Sequence, residues 1–212
     1  MFRNRFNLRK VVAIAICLAG VATFSGCDKE ENPIENPNNP PTEDPVVING
    51  VRWAKRNVGT KNTFVPSVES YGNYYTWDEA VNACPSGWRL PTVSEIERLL
   101  DTSKVRTEWT NINGVNGRIF TDRISGNNIF LPAAGWNFEG KLSNLGKEGN
   151  YWTGMEIDNS SAYFFPFDNE FDKWYYLHHG DFSYGCLRNA ANSMRCVQAT
   201  NALGAMSKNL KY

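Results

Sequence analysis

Histidine is scarce in this chain, and the motifs of the commonest enzyme active sites are missing. His178 and His179 are the only two histidines, and neighbouring residues on a strand point to opposite faces, so they cannot easily share a metal ion. No Gly-x-Ser-x-Gly sequence supplies the nucleophile turn of a serine hydrolase. We therefore expect a protein that is not an enzyme and that needs no cofactor.

Long apolar runs and surplus basic charge are also missing. The apolar run near the N-terminus, VVAIAICLAGV at 11–21, is too short to span a bilayer as a helix. Four of the 22 basic residues and none of the 22 acidic residues lie within 1–26, so a chain cleaved after residue 26 would carry a net charge of −4. Nucleic acid is not an expected partner, because no basic surface is left to bind phosphates.

Residues 1–27 have the layout of a bacterial lipoprotein signal. Four basic residues precede the apolar run, and Ser25-Gly26 stand directly before Cys27. Two small residues before a cysteine resemble the lipobox of bacterial lipoproteins. The resemblance implies that 1–26 is a signal peptide and that acyl chains on Cys27 anchor the protein in a membrane. An ordinary secretory signal with an incidental cysteine is the alternative.

The segment after Cys27 is predicted to be a tether and to carry an export signal. Residues 27–45 are rich in Pro, Asn and acidic residues, and such a composition is too polar to form a core. Asp28, Glu30 and Glu31 resemble the acidic export signal of surface lipoproteins in the Bacteroides group, which implies an outer-membrane protein exposed at the cell surface. A solvated acidic spacer would have the same composition.

Residues 46–200 have the size of one domain, and 201–212 form a short C-terminal tail. Asn49-Gly50 between apolar runs predicts a β-hairpin. Two capping boxes, Thr76–Glu79 and Thr92–Glu95, predict two helices, the first with a buried face that continues to Cys84.

Beyond Asp101 the pattern predicts short strands separated by loops rich in Gly and Asn. The predicted strands are Arg118–Thr121, Asn128–Ala133, Tyr151–Met155, Ala162–Phe167, Trp174–Leu177 and Ser193–Gln198. We therefore expect an α+β fold, with two N-terminal helices packed on a twisted, mostly antiparallel sheet and a long loop region at about 135–190.

Five segments together resemble the Fibrobacter succinogenes major paralogous domain. They are WAKRNVG at 53–59, YYTWDEAVNACPSGWRLPTVSEIERLL at 74–100, PAAGW at 132–136, GNYWTG at 149–154 and SMRCV at 193–197. Their combination and order extend over about 46–199. The resemblance implies a C-type-lectin-like fold, which that domain shares with formylglycine-generating enzymes.

The same resemblance implies a disulfide between Cys84 and Cys196, which would join the first helix to the last predicted strand. Cys186 has no other partner in the exported chain, because Cys17 would be removed and Cys27 acylated. Pairings of Cys186 with Cys84 or with Cys196 remain the open alternatives.

No metal site is expected from the chemistries of that fold. The Glu-Pro-Asn, Gln-Pro-Asp and Trp-Asn-Asp motifs of calcium-dependent C-type lectins do not occur in 46–200. Asp168, Glu170 and Asp172 are weak calcium candidates, because three acidic residues in one loop more often form a solvated turn. Cys186 and Cys196 are spaced unlike the copper-binding cysteine pair of formylglycine-generating enzymes, so a copper or thiol enzyme is the least favoured function.

Aromatic and amide residues in the predicted loop region are the candidates for ligand binding. They are Trp136, Asn137, Phe138, Trp174, Tyr176 and Tyr184. Such side chains stack on sugars or pack against a protein loop, whereas Trp152 is expected in the core. We expect a lipid-anchored cell-surface binding module without catalysis, whose ligand is a glycan or a surface protein. A structural or assembly subunit of a surface complex or appendage is the alternative.

Overall fold

Short strands dominate the part of the chain that the computed structural model describes, residues 43–170 and 185–199. The strands are β1 (Val46–Ile48), β2 (Val51–Trp53), β3 (Trp88–Arg89), β4 (Val105–Ile112), β5 (Val115–Asp122), β6 (Asn128–Pro132), β7 (Trp136–Phe138), β8 (Lys141–Ser143), β9 (Glu148–Glu156), β10 (Ser161–Asp168), β11 (Cys186–Leu187) and β12 (Val197–Gln198). The helices are α1 (Trp77–Ala80) and α2 (Val93–Leu100).

The strands form several small antiparallel sheets rather than one large sheet. Their orders are β1-β2-β12-β3, β11-β10-β9, β4-β5-β6 and β7-β8. In the first sheet β12 lies between β2 and β3, and Val197 pairs with both Trp53 and Arg89. The first and last strands of the described chain therefore share one sheet.

The predicted α+β fold, a C-type-lectin-like arrangement of two N-terminal helices on one twisted sheet, is wrong. The described residues are mostly β structure in several small antiparallel sheets, and the two helices have only 4 and 8 residues. The segment predicted as a long loop region contains β7 to β11. Helices this short bury too little surface to form a layer of their own.

Helix α1 is shorter than its apolar pattern predicts. Asn82 and Ala83 donate their backbone N–H groups to residues three positions earlier, so the chain tightens into turns after Ala80. The carbonyl of Ala83 accepts from the Asn62 backbone, which replaces a helical bond. Val81 is consequently exposed instead of continuing the buried face.

Helix α2 begins where its capping box predicts. The Thr92 hydroxyl accepts from the Glu95 backbone N–H, and the Glu95 carboxylate accepts from the Thr92 N–H at 2.8 Å. Arg89 forms a bidentate ion pair with the same carboxylate, with N–O distances of 2.7 and 2.8 Å. Ile96, Leu99 and Leu100 are buried on the opposite face, as the periodicity predicts.

Two Asn-Gly pairs make two-residue hairpin turns. Asn49 and Gly50 both have positive φ, and so do Asn113 and Gly114, which is the backbone that such turns require. The hairpin of β1 and β2 is therefore as predicted. The second turn joins β5 to β4, a strand that the sequence pattern missed.

Four predicted strands are confirmed within one to three residues at each end, as β5, β6, β9 and β10. The predicted strand Ser193–Gln198 is reduced to β12, because Ser193 instead joins β9 through an isolated bridge to Tyr151. Trp174–Leu177 lies outside the described residues.

The larger core cluster lies where the first sheet, α2 and the inward faces of β5, β6, β9 and β10 meet. Its members are Ile48, Val51, Trp53, Ile96, Leu99, Leu100, Val105, Phe120, Ile129, Leu131, Tyr151, Phe165, Phe167 and Val197. Rings from different sheets pack closely within it, for example Phe120 of β5 and Phe165 of β10 with centroids 6.0 Å apart. Interlocked aromatic side chains thus join sheets that are small individually.

The second core cluster surrounds α1 and the disulfide. Cys84 and Cys196 are joined, with their Cα atoms 6.2 Å apart, and Cys186 is free, so the pairing implied by the resemblance is confirmed. Trp152 is fully buried here and donates its indole N–H to the Tyr75 carbonyl, which confirms its expected place in the core. The bridge links the end of the α1 turn to the last strand.

Arg195 is buried, and no carboxylate within residues 43–170 and 185–199 forms an ion pair with it. Its guanidinium donates to the carbonyls of Ala54, Lys55 and Phe130 and to the side-chain oxygen of Asn57, at 2.7 to 3.1 Å. Burial lowers its pKa to about 10. One side chain thus connects the segment after β2 to β6.

The folded part includes Glu43, within the segment 27–45 predicted as a tether. Glu43 is 8% exposed, and its carboxylate accepts the backbone N–H groups of Lys55 and Arg56. The predicted signal peptide 1–26, the lipidation site Cys27, most of the tether and the tail 201–212 lie outside the described residues. Among the described residues, neither helix has the length and hydrophobicity needed to cross a membrane.

Candidate functional site

A groove of about 500 Å³ lies on the face of β9 and β10 that is opposite the larger core cluster. We call it the aromatic groove. Its lining consists of Trp136, Phe138, Glu148, Asn150, Phe164, Pro166, Gly185, Cys186, Leu187, Ala190 and Asn192. Two of the predicted ligand-binding residues, Trp136 and Phe138, are therefore brought together in it.

The β7–β8 hairpin provides the aromatic wall of the groove. Trp136 and Phe138 are two residues apart on β7, so their side chains project on the same side of the strand. Both are partly exposed, and their ring centroids are 6.5 Å apart. The pair offers a broad, accessible apolar surface.

Gly135 places the hairpin at this position. Its φ is +63°, and a Cβ atom there would lie 2.1 Å from the Ser143 carbonyl oxygen. Only glycine tolerates both the backbone conformation and this close approach. Its N–H donates to the Glu148 carbonyl at 2.7 Å, which ties the start of β7 to β9.

Asn137, the third predicted residue of this strand, has a different role. Its side-chain oxygen accepts from the Gly140 N–H at 3.1 Å, in the turn between β7 and β8. Its backbone exchanges two hydrogen bonds with Ala191, at 2.7 and 2.8 Å. Asn137 thus holds the hairpin in place, and its side chain is not part of the lining.

The floor of the groove comes from alternate residues of β9 and β10. Phe165 and Phe167 point into the larger core cluster, so Phe164 and Pro166 point to the groove. Pro166 can occupy this strand because β11 pairs only with Ser161 and Ala162, which leaves the rest of β10 as an edge within the described chain. The floor is consequently apolar along β10.

Polar groups of β9 form the other half of the floor. Asn150 is 5% exposed and donates its side-chain N–H to the Glu148 carboxylate at 2.9 Å. Asn150 lies opposite Pro166 in the sheet register. A carboxylate and an amide are therefore held next to the apolar strand.

Asn192 is one of the lining residues of the groove and is fully buried. Its backbone exchanges two hydrogen bonds with Tyr75, each 3.0 Å long, so the residue is fixed in place. Neither the nitrogen nor the oxygen of its side-chain amide makes a hydrogen bond of normal geometry within residues 43–170 and 185–199, although the amide lies near enough to the Cys186 thiol to lower the pKa of that thiol. Leaving such a group unpaired costs about 1–3 kcal/mol, so native proteins rarely do so without a reason.

Cys186 contributes a protonated thiol to the groove. Burial raises its pKa, and the nearby Asn192 side chain offsets this only in part. A thiol of raised pKa is a poor nucleophile and a poor metal ligand. Cys196 is bound in the disulfide, so it cannot form a copper-binding pair with Cys186.

The acidic loop after β10 is organised by internal contacts. The Asp168 carboxylate accepts from the Glu170 backbone N–H at 2.9 Å, and the Asp168 carbonyl accepts from Arg118 at 2.6 Å. Burial lowers the pKa of Arg118 to about 10, and the Asp168 charge opposes that shift. No group of three His, Cys, Asp or Glu side chains that could hold a metal ion occurs in the described part of the chain. Asp172 lies outside that part.

The remaining predicted residues Trp174, Tyr176 and Tyr184 also lie outside the described residues, as do both histidines. Sequence reasoning missed Glu148, Phe164, Pro166 and Asn192 as lining residues. A proline within the strand pattern of β10 was the available signal for an edge next to a site. The sequence contains no comparable signal that Asn192 lines the groove, since a single asparagine forms no pattern.

The chain matches no family model, and comparisons with curated proteins and with solved structures gave no match either.

Proposed function

We propose that this protein is a lipid-anchored binding module of the cell surface that holds a glycan in the aromatic groove. The observation that carries the proposal is the pairing of Trp136 and Phe138 with polar groups on the facing floor. Aromatic rings pack against the apolar face of a sugar ring, while amides and carboxylates bind its hydroxyl groups.

The anchor and the family belong to the same proposal and rest on sequence motifs alone. Acylation of Cys27 would place the domain at the outer membrane, and the acidic residues after it favour the outer surface. The five segments quoted above support a relationship to the Fibrobacter succinogenes major paralogous domain. The binding role is independent of that relationship, because it rests on the groove.

A glycan array probed with the full-length chain tests the proposal. We expect binding that persists with a calcium chelator and that falls about tenfold or more in Trp136→Ala, because a central aromatic contact is lost. Ile124→Ala is the matched control, since Ile124 is 86% exposed in the turn after β5. Its binding should equal that of the unchanged chain.

Loss of binding with chelator would contradict the groove as the site and point to a cation instead. Equal binding by Trp136→Ala and by the unchanged chain would place the ligand elsewhere on the molecule. Absence of binding to every glycan would remove the glycan proposal, and a surface protein would then be the ligand to seek by cross-linking on intact cells.

A further inference from the structure

The amide of Asn192 indicates which kind of glycan the groove accepts, if the proposed function holds. The side chain presents a donor and an acceptor that both lack a hydrogen bond of normal geometry within the described residues, although the Cys186 thiol is near enough to interact weakly with the amide. Its backbone is fixed by Tyr75, and its neighbours Ala191 and Ser193 bond to Asn137 and Asn150 respectively. The backbone that carries the amide is therefore held in place by hydrogen bonds on both sides of Asn192.

Several apolar residues line the groove together with Asn192. Phe164, Leu187 and Ala190 line the same groove, and the Cys186 thiol is at most a weak hydrogen-bonding group. A ligand group that fits here must donate and accept one hydrogen bond and must present an apolar surface otherwise. An acetamido group has one N–H, one C=O and a methyl group, and so meets all three requirements.

Access favours a terminal group over an amide within a chain. The Asn192 side-chain atoms are covered, so a ligand must enter beside a side chain that can move. Leu187 is 52% exposed and lines the groove, and exposed side chains change rotamer rapidly. A backbone peptide group carries a Cα on both sides, whereas an acetyl group ends in a methyl and therefore needs less room.

The rest of the groove suits the sugar ring that would carry this group. Trp136 and Phe138 supply an apolar wall for the ring face, and Glu148 and Asn150 supply partners for hydroxyl groups. We propose that the aromatic groove is selective for 2-acetamido sugars and that Asn192 is the residue that recognises the acetamido group.

Titration calorimetry of the full-length chain tests this selectivity. The ligands are oligosaccharides of N-acetylglucosamine, the same oligosaccharides after N-deacetylation, and glucose oligosaccharides of equal length. We expect the acetylated oligosaccharides to bind at least about tenfold more tightly than the other two series. Without the acetyl group, the buried Asn192 amide would again lack a hydrogen bond of normal geometry. A peptide carrying acetyl-lysine is a further ligand, since it offers the same terminal group without a sugar ring.

Asn192→Leu separates recognition from folding. This variant removes an unsatisfied buried amide, so it should unfold at the same temperature as the unchanged chain or higher. It should also bind acetylated and glucose oligosaccharides with affinities that differ less than about threefold. Ile124→Ala should keep the full preference.

The outcomes distinguish the two proposals. Equal affinity of the unchanged chain for all three series would overturn the acetamido inference and leave glycan binding standing. Tighter binding of the acetyl-lysine peptide than of any sugar would overturn the inference as well. Absence of binding to every oligosaccharide would overturn both. The comparison of ligands on the unchanged chain decides the question even if Asn192→Leu fails to fold.

Discussion

Arg195 shows how much of this fold depends on single polar residues. A buried arginine with no ion pair among the described residues is unusual, yet its five N–H groups match the carbonyl oxygens that the irregular segment after β2 leaves unpaired. A strand or helix would have satisfied those carbonyls within the backbone. The guanidinium instead makes an irregular segment possible at the centre of the molecule.

Replacing Arg195 should be among the most damaging single changes. In Arg195→Met at least three buried oxygens lose their donor, which should lower the free energy of unfolding by about 3 kcal/mol or more. Arg195→Lys should recover little of this free energy, because one ammonium cannot reach acceptors on two separate segments.

Urea unfolding monitored by tryptophan fluorescence measures the free energy of unfolding of both variants. Arg106→Met is the control, since the Arg106 side chain is 61% exposed and should change the free energy by less than about 0.5 kcal/mol. Similar losses in Arg195→Met and Arg106→Met would contradict the assigned role.

Individual site residues were predictable only where they are conspicuous. Trp136 and Phe138 could be found because aromatic residues beside a glycine in a polar region suggest a binding surface. Asn192 could not be found, since its burial depends on Tyr75 and Asn137, which are distant in sequence. The side-chain role of Asn137 in a turn likewise depends on a hairpin that has only three residues in each strand.

At the scale of elements, local signals were reliable where the sequence contains a complete motif. The capping box of α2 and the Asn-Gly turn of β1 and β2 each fix a backbone conformation within four residues. The length of α1 and the position of β12 are set by contacts with remote segments, namely Asn62 for α1 and β2 and β3 for β12. The fold class was wrong for the same reason, because it depended on how far α1 extends.

Helix α2 should make the stability of the protein depend on acid pH. Burial alone would raise the pKa of Glu95, but hydrogen bonds from Arg89 and Thr92 lower it below its usual value of 4.5. A carboxylate whose pKa is lower in the folded state stabilises above the unfolded value, and that contribution is lost as the pH falls through the folded value. Glu95→Gln should therefore cost about 1 kcal/mol at pH 7, and that cost should shrink as the pH falls below 4.5.

Chemical denaturation at a series of pH values measures the difference between Glu95→Gln and the unchanged chain. Glu97→Gln is the control, because Glu97 is exposed on the same helix. A cost for Glu95→Gln that stays constant from pH 7 to about pH 3 would show that shape rather than charge is responsible.

For the molecule as a whole, the disulfide between Cys84 and Cys196 is the longest covalent constraint. It spans 112 residues of sequence and joins the α1 turn to β12. A closed loop of this length removes conformational freedom from the unfolded chain, which is worth about 4–5 kcal/mol on the loop-entropy model. The bridge thus compensates for sheets that are each too small to be stable alone.

Removing the disulfide between Cys84 and Cys196 should lower the free energy of unfolding, whereas removing the Cys186 thiol should not. The double variant Cys84→Ser/Cys196→Ser should lose about 3–5 kcal/mol of unfolding free energy and should no longer respond to a reductant. Cys186→Ser is the control, and it should keep the full response to reductant because Cys186 is free. Thermal unfolding with and without reductant distinguishes the three proteins. A Cys186→Ser variant that is insensitive to reductant would mean that Cys186 takes part in the bridge.

The central place of β12 in its sheet also determines when folding can finish during biosynthesis. Strands β2 and β3 can gain their shared neighbour only after residues 197 and 198 have reached the compartment in which the chain folds, since Val197 pairs with both. Contacts this remote in sequence form late, so a nascent chain stays incompletely folded until nearly all of the described part is made. Polypeptides that stall or are cut before residue 197 would expose an open sheet and should be removed by quality-control proteases.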